Sequence, residues 1–398
     1  MNYNISKKII ELTDFFKKES YKELLKKSKK LEKENTEIEN FHFYHNLIGL
    51  THLKLKNWQT AIYYFNNAIK LDPSYEDSNF NLGLTYYELG NLDDAYDQFL
   101  KTLVINKNHK AAKECLIQVL TFLDPETKKI DIYNLANNKI KKRTPVLNLS
   151  KKIDDNSIVN LYLDLDKIAS KYISDKSYTA QQIFRRNNID LNCGRHMKIF
   201  KKSNIIPEYC FGCFKIVIEL DKIIDLIKLV LIFDQAEFLE GIERKCIIEK
   251  RSGETFSSGK KNLYKGIIYF SSILELKKVQ NKITKLLNIT IGKTAVISSK
   301  RGCTEFSYSY PKYKEIKNNL SEMMKFDPRW KKNEEIFDNQ NFIDGKEKKI
   351  FKQKTLNKIS LNDYLIIHNW IEYAKSINDK SVNIISQIIK KENSDKTA

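Results

Sequence analysis

The sequence is poor in the residues that would staple or punctuate a fold. Six cysteines in 398 residues are too few for a disulfide scaffold. They are therefore read as reduced thiols available for a metal or for packing. Only 12 glycines leave little material for a phosphate-cradling loop. Neither G-x-G-x-x-G nor a recognisable pair of carboxylates occurs, which argues against nucleotide-dependent chemistry. No apolar run approaches the length of a bilayer span, and residues 1–8 lead straight into an amphipathic segment without an export-signal core. A soluble, cytoplasmic protein with no membrane span is expected.

What is present is length, lysine and apolar residues in periodic order. A chain of 398 residues exceeds what one hydrophobic core usually organises, and 41% hydrophobic residues suffice to bury more than one. The formal net charge is +19. Such a charge permits attraction to nucleic acid or another polyanion, but it speaks to association rather than fold. Lysine spread among many Ile and Asn residues is also what an AT-rich genome produces, so both explanations stand.

Residues 5–34 place Ile9, Ile10, Leu12, Phe15 and Phe16, then Tyr21, Leu24, Leu25 and Leu31, at helical spacing, which predicts a helix pair. From Phe43 a repeat emerges. Gly49, Ala61 and Phe65 are followed 34 residues later by Gly83, Ala95 and Phe99, with Leu82 where Ile48 stood, and Ala68 and Pro73 punctuate the first unit. The small residues let paired helices approach and the aromatics fill the space between units. This period and punctuation resemble the tetratricopeptide repeat, a helix-turn-helix unit that stacks into a solenoid. The resemblance covers residues 5–135 and is clearest at 42–75 and 76–109. The first unit lacks the Gly and Ala, and a third, starting near Lys110, has Ile117 at the Gly position.

The resemblance implies a groove that holds a peptide or partner helix and is lined by the first helix of each unit. On that basis Asn46, Lys54, Asn79, Asn81 and Tyr86 are candidate partner contacts; the alternative is that they are solvated positions. Three repeats are also close to the minimum for a stable stack, so the array could serve chiefly to dock on its own C-terminal part.

The expected organisation is a repeat region at 1–135, a linker at 136–156, an α+β domain at 157–310, a helical extension at 311–389 and a disordered tail at 390–398. Pro125 and Pro145 mark a capping helix running into the linker. Residues 157–173 are apolar at helical spacing, and a second helix is expected to end near Arg185 and Arg186. Beyond the cysteine-containing stretch, 214–220 (FKIVIEL), 245–249, 264–270 (YKGIIYF), 294–297 and 304–309 read as strands, and 223–233 and 272–287 as helices. The order β-α-β-β-α-β is that of the ferredoxin-like superfold, with both helices on one face. Ser360 with Asp363 starts a last helix, 361–374, like a capping box with Asp in place of Glu. The C-terminal part is also similar to uncharacterised domains that accompany such repeats in bacteria, a resemblance that supplies no activity.

Residues 193–213 concentrate the chemistry, in the pattern C-x2-H-x13-C-x2-C. Cys193 with His196 and Cys210 with Cys213 form two pairs, each able to offer two ligands from one turn, as a closed structural zinc site requires. Gly212 is expected to permit the tight turn. The alternative is that Cys210 and Cys213 are small buried residues leading into a strand, with Cys193 and His196 on a loop. Cys246, on an expected edge strand, and Cys303 are substitutes for a ligand.

Cys303 is also the one candidate nucleophile, since Lys300 and Arg301 could lower its pKa and Gly302 offers a sharp turn. Its only candidate bases are His196 and His368. The bland reading is a solvated turn, and the sequence reveals no reaction. For nucleic acid, KGIIYF at 265–270 partly fits the third strand of an RNA-recognition motif, with Lys265, Gly266 and Tyr269 matching but Ile267 in place of the first stacking aromatic. The reading is an adaptor that binds a protein through its repeat groove, and the alternative is an RNA-associated binding or modifying protein.

Overall fold

Apolar residues at helical spacing make the N-terminal third a succession of helices in the computed structural model, which describes residues 3–123, 131–185, 193–249, 263–317, 319–342, 355–385 and 387–388. They are α1 (Tyr3–Lys17), α2 (Tyr21–Glu34), α3 (His42–Lys54), α4 (Trp58–Leu71), α5 (Glu76–Leu89), α6 (Leu92–Ile105) and α7 (Lys110–Val119). Next come α8 (Ile132–Lys141), α9 (Asp155–Tyr172), β1 (Gln182–Arg185), α10 (Cys193–Ser203), α11 (Glu208–Phe211), β2 (Phe214–Leu220) and α12 (Ile223–Gln235). The remainder are β3 (Arg244–Ile248), β4 (Tyr264–Phe270), α13 (Ile273–Thr290), β5 (Val296–Arg301), α14 (Lys331–Asn341) and α15 (Leu361–Ser376). The chain divides into two units, one of Met1–Val119, Asn188–Pro207 and Asp327–Lys352, the other of Leu120–Asn187, Glu208–Phe326 and Gln353–Ala398. Pro125 and the tail expected at 390–398 lie outside the described residues.

In the first unit the 34-residue period is written into contacts. Gly49 of α3 lies against the Phe65 ring of α4, where a Cβ would stand 2.6 Å from a ring carbon. Gly83 of α5 meets Phe99 of α6 in the same way, at 2.7 Å. Ala61, Phe65, Ala95 and Phe99 are all fully buried. The turn after each second helix also repeats: Asp72 accepts from the Ser74 amide at 2.9 Å, and Asn106 from the Asn108 amide at 3.0 Å. Each turn residue is tied to the start of its own unit, Asp72 to His42 at 3.7 Å and Asn106 to Glu76 at 3.2 Å. Thus one residue, acid or amide, both closes the loop and staples the helical hairpin. Helices α1 and α2 are the expected N-terminal pair, and Leu12, Leu24 and Leu31 join Tyr44, Leu47 and Ile48 of α3 in one core.

Two distant segments complete this unit. Arg195 of α10 forks onto Asp338 of α14 at 2.9 and 2.8 Å and reaches Glu334 at 3.0 Å, while Ile199, Ile205 and Phe337 pack beneath. Lys22 of α2 donates to the Asn339 carbonyl at 2.5 Å.

The second unit is built on a five-stranded antiparallel sheet, in the order β1-β3-β4-β2-β5 among the described residues. Strand β4 alternates buried and half-buried residues, and its inward Gly266 meets α12, where a Cβ would lie 2.4 Å from Leu229 Cδ2. Helix α12 is buried throughout except at Gln235, its charged Asp225, Lys228 and Asp234 included, because it packs against the sheet as well as α9 and α15. The β1 residue Arg185 is fully buried and paired with Asp234 at 2.7 Å and Asp363 at 2.9 Å. Arg244 closes the end of α12 by donating to the carbonyls of Phe233, Leu239 and Ile242 at 2.7 to 2.9 Å. Ser360 and Asp363 form the expected capping box at the start of α15.

Three expectations are corrected. The segment reaching Arg185 is a strand, not a helix end, and it pairs outside β3, so Cys246 is buried within the sheet rather than on its edge. Residues 304–309 do not form a strand; Thr304–Tyr308 is a 3-10 turn. Residues 136–141, placed in the linker, belong to α8.

Candidate functional site

The first helices of the two clear repeats, α3 and α5, bring Asn46 and Asn81 together. Asn81 Nδ2 donates to Asn46 Oδ1 at 3.0 Å, and both residues are buried, as is Asn79. These asparagines are thus largely enclosed, and two of them join neighbouring repeats. Lys54 is exposed at the end of α3. Tyr86 is half-buried against Ala61, Phe65 and Leu82, and burial, followed by the nearby Asp94, raises its pKa.

The sequence reading missed an aromatic cluster at the start of these helices. His42, Phe43 and Tyr75 bring ring centroids within 4.0 to 5.0 Å of one another, and Phe43 keeps 42% of its surface exposed. The signal that could have found it is position: 41–43 and 75–77 are equivalent points of the repeat, at the mouth of each first helix. An exposed ring held by two neighbours presents apolar surface without much loss of side-chain freedom on binding.

The cysteine stretch is divided. Exposed Cys193 and buried His196 sit on α10 in the first unit, whereas buried Cys210 and half-buried Cys213 belong to the second. Among the described residues, no group of three or more His, Cys, Asp or Glu is arranged to hold a metal ion. Neither expected glycine turn has a positive φ. A Cβ on Gly212 would make only ordinary contacts, so nothing there requires glycine. Gly302 instead makes room for a neighbour, since a Cβ there would lie 2.4 Å from Cys213 Sγ.

Around Cys303, Arg301, one of the two expected activating cations, is committed elsewhere. Arg301 is buried, donates to the carbonyls of Phe211 and Met324, and lies over the rings of Phe214 and Tyr313. His368, one of the two candidate bases, is engaged with Tyr162 at 3.0 Å and stands 3.7 Å from Asp166, which also accepts from Tyr364 and Lys176. Burial, with Lys176 beside it, lowers the His368 pKa and favours the neutral ring. Two of the other thiols are held protonated: burial pushes Cys115 up to about 11 and also raises Cys246.

Helices α8 and α9 frame a cleft of about 250 Å³ in which Lys139, Arg143, Lys167 and Lys171 face a single carboxylate, Asp164. Its cations are mostly surface side chains. No described helix is long and apolar enough to cross a membrane.

Comparison with known proteins agrees with the geometry of the first unit. The family described as TPR repeat matches residues 49–90. The heat shock protein STI1 of Saccharomyces cerevisiae is 34% identical over 86 residues, 22% of this chain and 14% of the yeast protein. The chain therefore spans about a seventh of that relative's length. Among solved structures, the first TPR of Spaghetti (RPAP3) bound to an HSP90 peptide is 18% identical, covering 29% of this chain and 89% of its own, with a TM-score of 0.27. The second TPR domain of human RPAP3 in complex with an HSP70 peptide is 21% identical over 29% of this chain and 97% of its own, with a TM-score of 0.26. Stacked helical hairpins of 34-residue period, matched by the family over residues 49–90, make this N-terminal part of the chain a tetratricopeptide repeat region.

Proposed function

We propose that the chain is a protein-interaction adaptor whose repeat region holds a segment of a partner protein. The observation that carries this reading is the pair of stacked hairpins, Gly49 on Phe65 and Gly83 on Phe99, which aligns α3 and α5 and leaves the Phe43 and Tyr75 rings at their mouth. The segment bound carries an apolar anchor for these rings, and Lys54 offers a cation farther along α3. The yeast relative is named a heat shock protein and the two RPAP3 structures hold chaperone peptides, so such peptides are natural first probes.

The second unit supports a ferredoxin-like reading. Its β2-α12-β3-β4-α13-β5 succession and β3-β4-β2-β5 order are those of a split βαβ pair, with β1 added at one side. The superfold by itself assigns no activity.

The test places a photo-crosslinking phenylalanine at position 43 of the full chain and, separately, at Val104, an exposed position on α6. Mixed with an HSP90 or HSP70 C-terminal peptide, or with a partner found by affinity capture, the position 43 variant is expected to crosslink and the position 104 variant to remain unlabelled. Equal labelling at the two positions would overturn the groove reading.

A further inference from the structure

The side of the sheet turned away from α12 is composed differently from the side that α12 covers. In cross-strand register one row runs Ser298, Val217, Ile267, Lys245, Phe184, and the next sets Lys300, Lys215 and Tyr269 side by side. Phe184, Tyr269, Lys215, Lys245 and Lys300 are each half-buried, so part of each is within reach of solvent. The Lys245 ammonium lies between the two aromatics, 5.9 Å from the Phe184 ring and 5.8 Å from the Tyr269 ring.

Among the described residues, lysines outnumber carboxylates on this face. The carboxylates Glu219 and Glu249 both turn to Lys265, at 3.6 and 2.6 Å. Lys215 and Lys300 stand directly opposite each other on neighbouring strands, a like-charge pairing that costs stability. Burial lowers the Lys215 pKa; the Glu305 carboxylate pulls it back up, and Lys300 pushes it down by less than Glu305 raises it. A face built only for solvation has no need to set two lysines in register beside an aromatic ring. An anion between them removes the repulsion, and the rings two strand spacings apart, roughly 10 Å, offer flat apolar surface on either side of Lys245.

We propose that this face binds single-stranded nucleic acid, with bases stacked on Phe184 and Tyr269 and phosphates drawn to Lys215, Lys245 and Lys300. Stacking explains the aromatics and counterion release explains the lysines. The inference is independent of the repeat groove.

Fluorescence anisotropy with the full chain and a labelled oligouridylate or oligodeoxythymidylate of about a dozen nucleotides tests it. Phe184→Ala and Tyr269→Ala are each expected to weaken binding about 5- to 100-fold. Together, Lys215→Gln and Lys300→Gln are expected to flatten the slope of log affinity against log salt by about 1.4. Lys277→Gln with Lys278→Gln on exposed positions of α13 removes the same charge and is expected to leave affinity within about twofold. Where Tyr269→Ala loses its circular-dichroism signal, Tyr269→Leu preserves apolar bulk without a ring and is expected to show the same weakening. Preference for the ribose or deoxyribose strand supports the proposal either way and identifies the nucleic acid. No binding at low salt, duplex of equal length binding as tightly as the single strand, or equal loss in the α13 control would overturn it.

Discussion

At Gly83 a single missing carbon sets the distance between two helices. The Phe99 ring occupies the space a Cβ would take, 2.7 Å from its ideal position, and the ring is fully buried. Alanine there gains about 1 kcal/mol of helix propensity but forces overpacking worth about 1 to 3 kcal/mol. Gly83→Ala is therefore expected to lower unfolding stability by about 1 kcal/mol in urea titration, with part restored when Phe99→Leu is added. A variant as stable as the parent would remove the close-approach argument. This contact was legible because the sequence states it twice, at 49 and 83. The Asn46–Asn81 bond was not, since its partners lie 35 residues apart, one off the period, and so read as separate groove positions. Nor was the role of Gly302, which is fixed by Cys213, just before β2, rather than by its own neighbours in sequence.

Elements were legible where their pattern is longer than their environment's influence. Strands β2 and β4, of seven residues each, alternate or run apolar between turns and were read with their observed bounds. Strand β1 has only four residues, two of them Gln182 and Arg185, and its identity comes from pairing with β3 and from two carboxylates that receive its arginine. A polar strand of that length carries no period to find. The start of α15 was legible because capping is local chemistry: Ser360 Oγ accepts from the Asp363 amide at 3.2 Å, and Asp363 returns the bond at 3.0 Å. Ser360→Ala is expected to cost about 1 to 2 kcal/mol, since the cap is buried. Thermal melting checks it, and an unchanged midpoint would mean that the cap adds nothing to the Arg185–Asp363 pair.

For the whole molecule, the consequential feature is that neither unit is continuous in sequence. The repeat helices share their unit with α10 and α14, which enter it from points separated by most of the second unit. No local pattern announces this, because α10 and α14 look like ordinary charged helices until Arg195 meets Asp338 and Glu334. These side chains are largely buried, so removing the arginine strands two carboxylates in a partly dry site. Arg195→Ala in the full chain is expected to release α10 and α14 from the unit at a cost of about 3 to 5 kcal/mol, the range for removing one partner of an enclosed ion pair. Hydrogen exchange followed by mass spectrometry reads it directly: amides of 193–203 and 331–341 exchange faster, while those of α5 and α6, held by the Gly83–Phe99 contact, keep their protection. Uniform loss of protection across α3–α6 would instead mean that the repeats depend on the inserted helices for their own fold. A fragment ending near residue 119 would then be the wrong reagent for finding a partner, and the full chain the right one.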